Sequence, residues 1–173
     1  MNLRLMTRRL LLLLATLALG ACTQSYTVFS DKYFVSFSCD MSAVPFNSLH
    51  TLGHFLAVRP KTTKDGYRVK SPDGTERDYP YTEVQSRVFS FGLAGLIIGQ
   101  PYFEEGIYAF DLGCPECDRS SARLIVDLQG MATCSRCQSV YNLNNGGMPQ
   151  SGTSKPLYRY RTTRNGNTLM VHN

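Results

Sequence analysis

The chain has 173 residues, with 18 lysines and arginines against 13 aspartates and glutamates and a formal net charge of +5. Three of the basic residues, Arg4, Arg8 and Arg9, fall in the first 21 positions, so the remainder carries 15 cationic against 13 acidic side chains, a net of only +2. A balance so near neutral excludes the electrostatic footprint of a nucleic-acid-binding protein or a polybasic membrane patch, and the length suffices for one domain with its own core.

The first 22 residues read as an export signal. Arg4, Arg8 and Arg9 form a basic start, Leu10 to Leu19 an apolar run too short to span a bilayer comfortably, and Leu19-Gly20-Ala21-Cys22 a small-residue cleavage site ending on cysteine. This text resembles the lipobox of bacterial lipoproteins. The resemblance implies a signal peptide over 1–21, cleavage before Cys22, and acyl chains on Cys22 that anchor the protein durably in a membrane. An ordinary secretory signal with a coincidental cysteine is the alternative. Thr23 stands where an aspartate often retains lipoproteins at the inner membrane, which points to the cell envelope at the outer membrane. Thr7-Arg8-Arg9-Leu10-Leu11-Leu12 loosely matches a twin-arginine pattern, but the leucine-rich core favours general secretion.

Beyond a short polar linker, Thr23 to Ser30, no long segment has helical periodicity. Short apolar runs separated by Gly, Pro, Asn and Asp predict an all-β domain. Tyr33, Val35 and Phe37 alternate with Phe34, Ser36 and Ser38 as in a half-buried strand. Turn signals at Lys64-Asp65-Gly66 and Pro72-Asp73-Gly74 bracket Tyr67 to Lys70, a short strand expected to be exposed. Val88 to Ile98 is apolar but interrupted by Gly92 and Gly95, which predicts a broken strand. Ile107 to Phe110 then leads into the first cysteine pair, and Arg123 to Leu128 turns at Gln129-Gly130 into a strand ending at the second. Leu157 to Thr162 and Thr168 to His172 form a hairpin about Asn165-Gly166.

Those two pairs, Cys114-Pro-Glu-Cys117 and Cys134-Ser-Arg-Cys137, are sixteen residues apart. Each turn brings two sulfurs to one side of a tight loop, and two such loops complete a tetrahedral sulfur cage suited to zinc or iron. Two disulfides or reactive dithiols are the alternative in an exported protein.

From Gly106 to the C-terminus the chain resembles the Rieske domain family. The resemblance rests on Tyr108-Ala109-Phe110-Asp111, Cys114-Pro115, Cys134-Ser135-Arg136-Cys137-Gln138-Ser139, Tyr141-Asn142-Leu143, Gly146-Gly147, Gly152, Pro156-Leu157 and Tyr160, in the family's order. It implies an antiparallel Rieske-like sandwich over 41–173, preceded by an anchored segment and first strand over 22–40, with a small two-loop metal-binding subdomain at about 106–156. Val44 to Ile98 would supply the basal strands. The family's two histidine ligands are missing. Glu116 stands at the first histidine's place, Cys137 at the second's, and Gln138 replaces the glycine that lets backbone amides approach the cluster sulfur. This pattern is similar to the Rieske-like lipoproteins of Bacteroidetes.

Zinc on Cys114, Cys117, Cys134 and Cys137 is the favoured centre, because both cysteines of such a turn normally bind one ion. A four-cysteine 2Fe-2S cluster is the main alternative, and a single rubredoxin-type iron a third. Zinc saturated by four thiolates leaves no site for water, so the protein reads as a lipid-anchored structural or binding module and not an enzyme. The cluster would make it an electron carrier to an envelope redox partner. His50 and His54 read as surface or loop residues, Cys39 as a buried apolar thiol, and Tyr158 and Tyr160 as facing inward from a strand whose Arg159 and Arg161 face out.

Overall fold

The computed structural model describes residues 29–153 and 155–173; the leader and Cys22 lie outside them, as does most of the linker. The described chain is mostly β, with one short α-helix and two 3-10 turns, Phe46–His50 and Leu143–Asn145. Strands β1 (Val35–Asp40), β2 (Phe55–Pro60), β3 (Gly66–Lys70), β4 (Glu76–Pro80), β5 (Ser90–Phe91), β6 (Leu96–Gly99), β7 (Tyr108–Asp111), β12 (Arg159–Asn165) and β13 (Thr168–His172) form one antiparallel sheet in the order β4-β3-β2-β6-β7-β12-β13-β1-β5. Strands β8 (Leu124–Val126), β9 (Met131–Cys134), β10 (Val140–Asn142) and β11 (Met148–Ser151) form a second sheet in the order β11-β10-β9-β8.

The large sheet folds over on itself. Phe37 of β1 meets Tyr67 of β3 edge-on at 5.7 Å although six places separate the two strands in the sheet. The space between is filled by Phe37, Leu56, Val58, Val69, Leu96, Ile98, Leu169 and Val171, all 2 % exposed or less. On its other face, Phe55, Ile97 and Phe110 pack against Leu124, Ala132 and Tyr141 of the small sheet and Leu143 just after β10. Strands β6 and β7 are therefore covered on both sides, which is why Leu96-Ile97-Ile98 reads as an unbroken apolar run.

Three expectations change in detail. The strand over Tyr67 to Lys70 is half-buried: Tyr67 and Val69 face the core because the fold-over brings β1 above them. A short helix, α1 (Glu83–Val88), was not signalled by periodicity; it is set by a capping box in which Thr82 accepts from the Gln85 amide and Gln85 from the Thr82 amide. The β12–β13 turn is one residue later than expected. Asn165 pairs with Thr168, and Gly166, at φ 58°, takes the first place of the two-residue loop. Among the described residues, no helix is long and apolar enough to cross a membrane.

Candidate metal centre

Two copies of one local design hold the cysteines. In the loop after β7, the Asp118 amide donates to the Cys114 carbonyl at 2.8 Å; in the loop after β9, the Gln138 amide donates to the Cys134 carbonyl at 3.2 Å. The residue after each second cysteine is left-handed, Asp118 at φ 51° and Gln138 at φ 61°. Gln138 therefore keeps the backbone shape that a glycine would adopt freely, and the second turn still delivers the Arg136 amide to Cys134 Sγ at 3.4 Å. The segment entering β8 ties the turns together: Cys114 N–H donates to Ala122 O at 2.9 Å and Ser135 N–H to Arg123 O at 3.0 Å.

The four sulfurs converge. Cys114 Sγ lies 3.6 Å from Cys137 Sγ and Cys117 Sγ 3.9 Å from Cys134 Sγ, and all four are within 4.8 Å of one another. A tetrahedral ion with metal–sulfur bonds of about 2.3 Å needs sulfur–sulfur edges of roughly 3.8 Å, so the set fits one ion with little adjustment. A two-iron core places an additional iron–iron separation between its sulfur pairs, opening the cross-pair distances beyond roughly 5 Å. Cys114 and Cys134 are fully buried, Cys117 is half-buried and Cys137 exposed, so the centre sits at the surface with one sulfur at its rim.

Neighbouring donors prepare these sulfurs for a cation. The buried Tyr141 hydroxyl lies 3.4 Å from Cys114 Sγ, in place to donate to a thiolate there, while burial pushes the Cys114 thiol up. Desolvation opposes ionisation of Cys137, yet the hydroxyl and amide of Ser139 and the neighbouring sulfurs bring its thiol down to about 6. Desolvation and the sulfurs of Cys137, Cys134 and Cys114 push Cys117 up to about 12. The protons so retained are those a metal ion displaces.

Asp111 fixes the approach to the first turn. Its buried carboxylate accepts from Leu93 N–H at 2.7 Å, Ala94 N–H at 3.2 Å, Gly113 N–H at 2.6 Å and Tyr160 O–H at 2.6 Å. Burial pushes its pKa up, and these donors pull it back. Gly113 immediately precedes Cys114, so the loop between β5 and β6 and the cysteine turn share one acceptor. A side chain at Gly92, φ 69°, would meet Asp111 Oδ2 at 2.3 Å and the Tyr160 hydroxyl at 2.5 Å.

Asp118 joins the same turn to the N-terminal segment. Its carboxylate accepts from Lys32 Nζ at 2.5 Å and from the Tyr33 and Tyr158 hydroxyls at 2.8 Å each. The ammonium also sits over both rings, 5.2 and 5.3 Å from their centroids. Replacing Asp118 by alanine is expected to speed amide hydrogen exchange over residues 30–35 several-fold while barely moving global stability, because the ion pair is half-exposed. Unchanged exchange would show that the segment is held elsewhere.

The other predicted residues separate cleanly. Glu116 faces outward, accepting from the Thr153 hydroxyl at 2.8 Å with Lys155 at 3.5 Å, and takes no part in the sulfur set. His50 is exposed and His54 half-buried, its Nε2 without a partner among the described residues and its pKa lowered by burial; neither joins a metal-ligating group. Tyr160 is buried as expected. Arg159, however, is half-buried rather than outward, its guanidinium stacked 3.8 Å from the Tyr108 ring centre. Cys39 is buried and its thiol pushed up to about 12 by desolvation. At pH 8 such a thiol is thiolate in roughly one molecule in ten thousand, so iodoacetamide should label Cys39 at least 100-fold more slowly in the native protein than in urea. Mass-spectrometric labelling checks this, and comparable rates would place the thiol at the surface.

No family model matches the chain, and no curated protein or solved structure does either.

Proposed function

We propose that this is a Rieske-like, lipid-anchored module of the cell envelope whose four cysteines hold one structural zinc ion. The observation that carries the metal assignment is the mutual sulfur distance: four thiolates within 4.8 Å suit a single tetrahedral ion. Four thiolates fill that tetrahedron, so no position is left to activate water or polarise a substrate, and the ion acts by pinning two turns. The Rieske-like reading is supported by the order of motifs from Tyr108 to Tyr160, and the anchor by the leader text ending at Cys22. On this reading the zinc-braced domain presents a binding surface to an envelope partner.

The test is a visible absorption spectrum with metal analysis on protein purified under nitrogen. A colourless protein with one zinc per chain is expected. One iron, or two irons with labile sulfide and a red-brown spectrum, would replace the structural reading with an electron carrier.

A further inference from the structure

A cleft of about 210 Å³ is lined by residues of both sheets, among them Leu124, the strand partner of Cys134. Ala57, Leu112, Leu124 and Val126 make an apolar floor, and Ile125, 60 % exposed, stands at its edge. Its charged lining comes from β2 and β3, where Arg59 lies opposite Arg68 and Ala57 opposite Lys70, from Arg123, and from Glu76, whose carboxylate is held by Arg68 and Lys70.

The ion pairs around that lining can be followed one by one. Arg68 takes Asp78 through two nitrogens, at 2.5 and 2.9 Å, and Glu76 at 3.1 Å. Lys70 takes the other oxygen of Glu76 at 3.3 Å, and Lys61 is shared between Asp65 and Asp78. Every acid on this face is thereby committed. Arg59 and Arg123 have no carboxylate within ion-pair distance among the described residues. Two uncommitted guanidiniums above an apolar floor are complementary to a ligand with an apolar body and an anionic end.

We propose that this cleft binds a small amphipathic organic carboxylate. The apolar body lies on Ala57, Leu112, Leu124 and Val126, and Arg59 and Arg123 take the carboxylate. The volume is below the roughly 300–1,000 Å³ of pockets for drug-sized ligands, so the occupant is short. A guanidinium meets a carboxylate with two parallel N–H donors, which makes arginine the stronger discriminator here than Lys70, already held by Glu76. The proposal goes beyond the zinc reading and is independent of which ion the cysteines hold.

Octanoate is a suitable probe, titrated calorimetrically into the metal-loaded protein at low salt. One saturable site is expected. Arg59→Gln should weaken it at least tenfold with metal content and melting temperature unchanged, and Arg123→Gln and Ala57→Leu, which fills the floor, should weaken it similarly. Octanol and inorganic phosphate, each carrying one half of the recognition, should bind at least tenfold more weakly than octanoate. Absence of saturable heat, wild-type affinity in both arginine variants, or phosphate binding as tight as octanoate would overturn the proposal.

Discussion

On the proposed zinc reading, removing the ion, by chelation or through Cys134→Ser, is expected to unfold the small sheet and both cysteine turns while the large sheet survives. Cys134 ends β9 and is fully buried in the core shared by Leu124, Ala132, Tyr141 and Leu143. Without an ion, four thiols within 4.8 Å of one another replace a single bonded centre. The small sheet's strands are only three or four residues long, and short sheets of this kind depend on something besides backbone pairing. Structural zinc sites contribute on the order of 10–16 kcal/mol of apparent binding free energy at neutral pH, which exceeds the whole stability of most domains. The enclosed core around Phe37, Leu56 and Leu96 contains none of the four ligand cysteines and has its own long hairpins, so it should persist. Hydrogen exchange would show this as lost protection over about 113–151, with β1, β2, β12 and β13 retained. A protease-resistant Cys134→Ser protein melting at the wild-type temperature would refute a structural metal.

Asp111→Ala is expected to cost about 4 kcal/mol or more, and to lower the melting temperature by roughly 10–20 °C. The substitution strips three amides and one tyrosine hydroxyl of a common acceptor in a place water does not reach. Each buried donor left alone costs about 1–3 kcal/mol, although neighbours relax together and the sum is not fully realised. Tyr160→Phe removes only one of the four donors, and should cost about 1–2 kcal/mol. Asp111→Asn keeps one acceptor oxygen and should fall between. Metal retention against a competing chelator is the second readout: with Gly113 released, the first turn should surrender its ion faster. An Asp111→Ala protein within about 1 kcal/mol of wild type would mean that the loop and the turn are positioned by packing alone.

Much of the centre was legible in the text because C-x-x-C is a local design. Cys114 with Cys117, and Cys134 with Cys137, are each brought together within a single turn, and the strands leading into them carry their own apolar pattern. The donors around the sulfurs were not legible in the same way. Tyr141, Ser139 and Asp118 are ordinary residues in sequence, and their roles depend on which strand lies beside which. Asp111 did leave a trace. It is an acid at the end of the apolar run Tyr108-Ala109-Phe110, directly before the cysteine loop, where a charge must find donors or be expelled. The strand over Tyr67 to Lys70 was misjudged for the complementary reason. Its alternating pattern shows which residues share a face, but burial of that face depends on β1, which arrives from thirty residues upstream and six strands away in the sheet.

Sequence alone determined what short-range chemistry controls: the predominance of strands, the turns at Asp65-Gly66 and Asp73-Gly74, and the convergence of the two cysteine pairs. Only the tertiary structure decided that Lys32 and Tyr33 reach Asp118 from 85 residues or more away, that Asp111 gathers donors from two loops, and that Arg59 and Arg123 line one cleft. Hydrogen-bonded turns and apolar periodicity are written in neighbouring residues, whereas strand order and the folding-over of a sheet arise from burying one apolar face against another, a choice made by the whole chain at once.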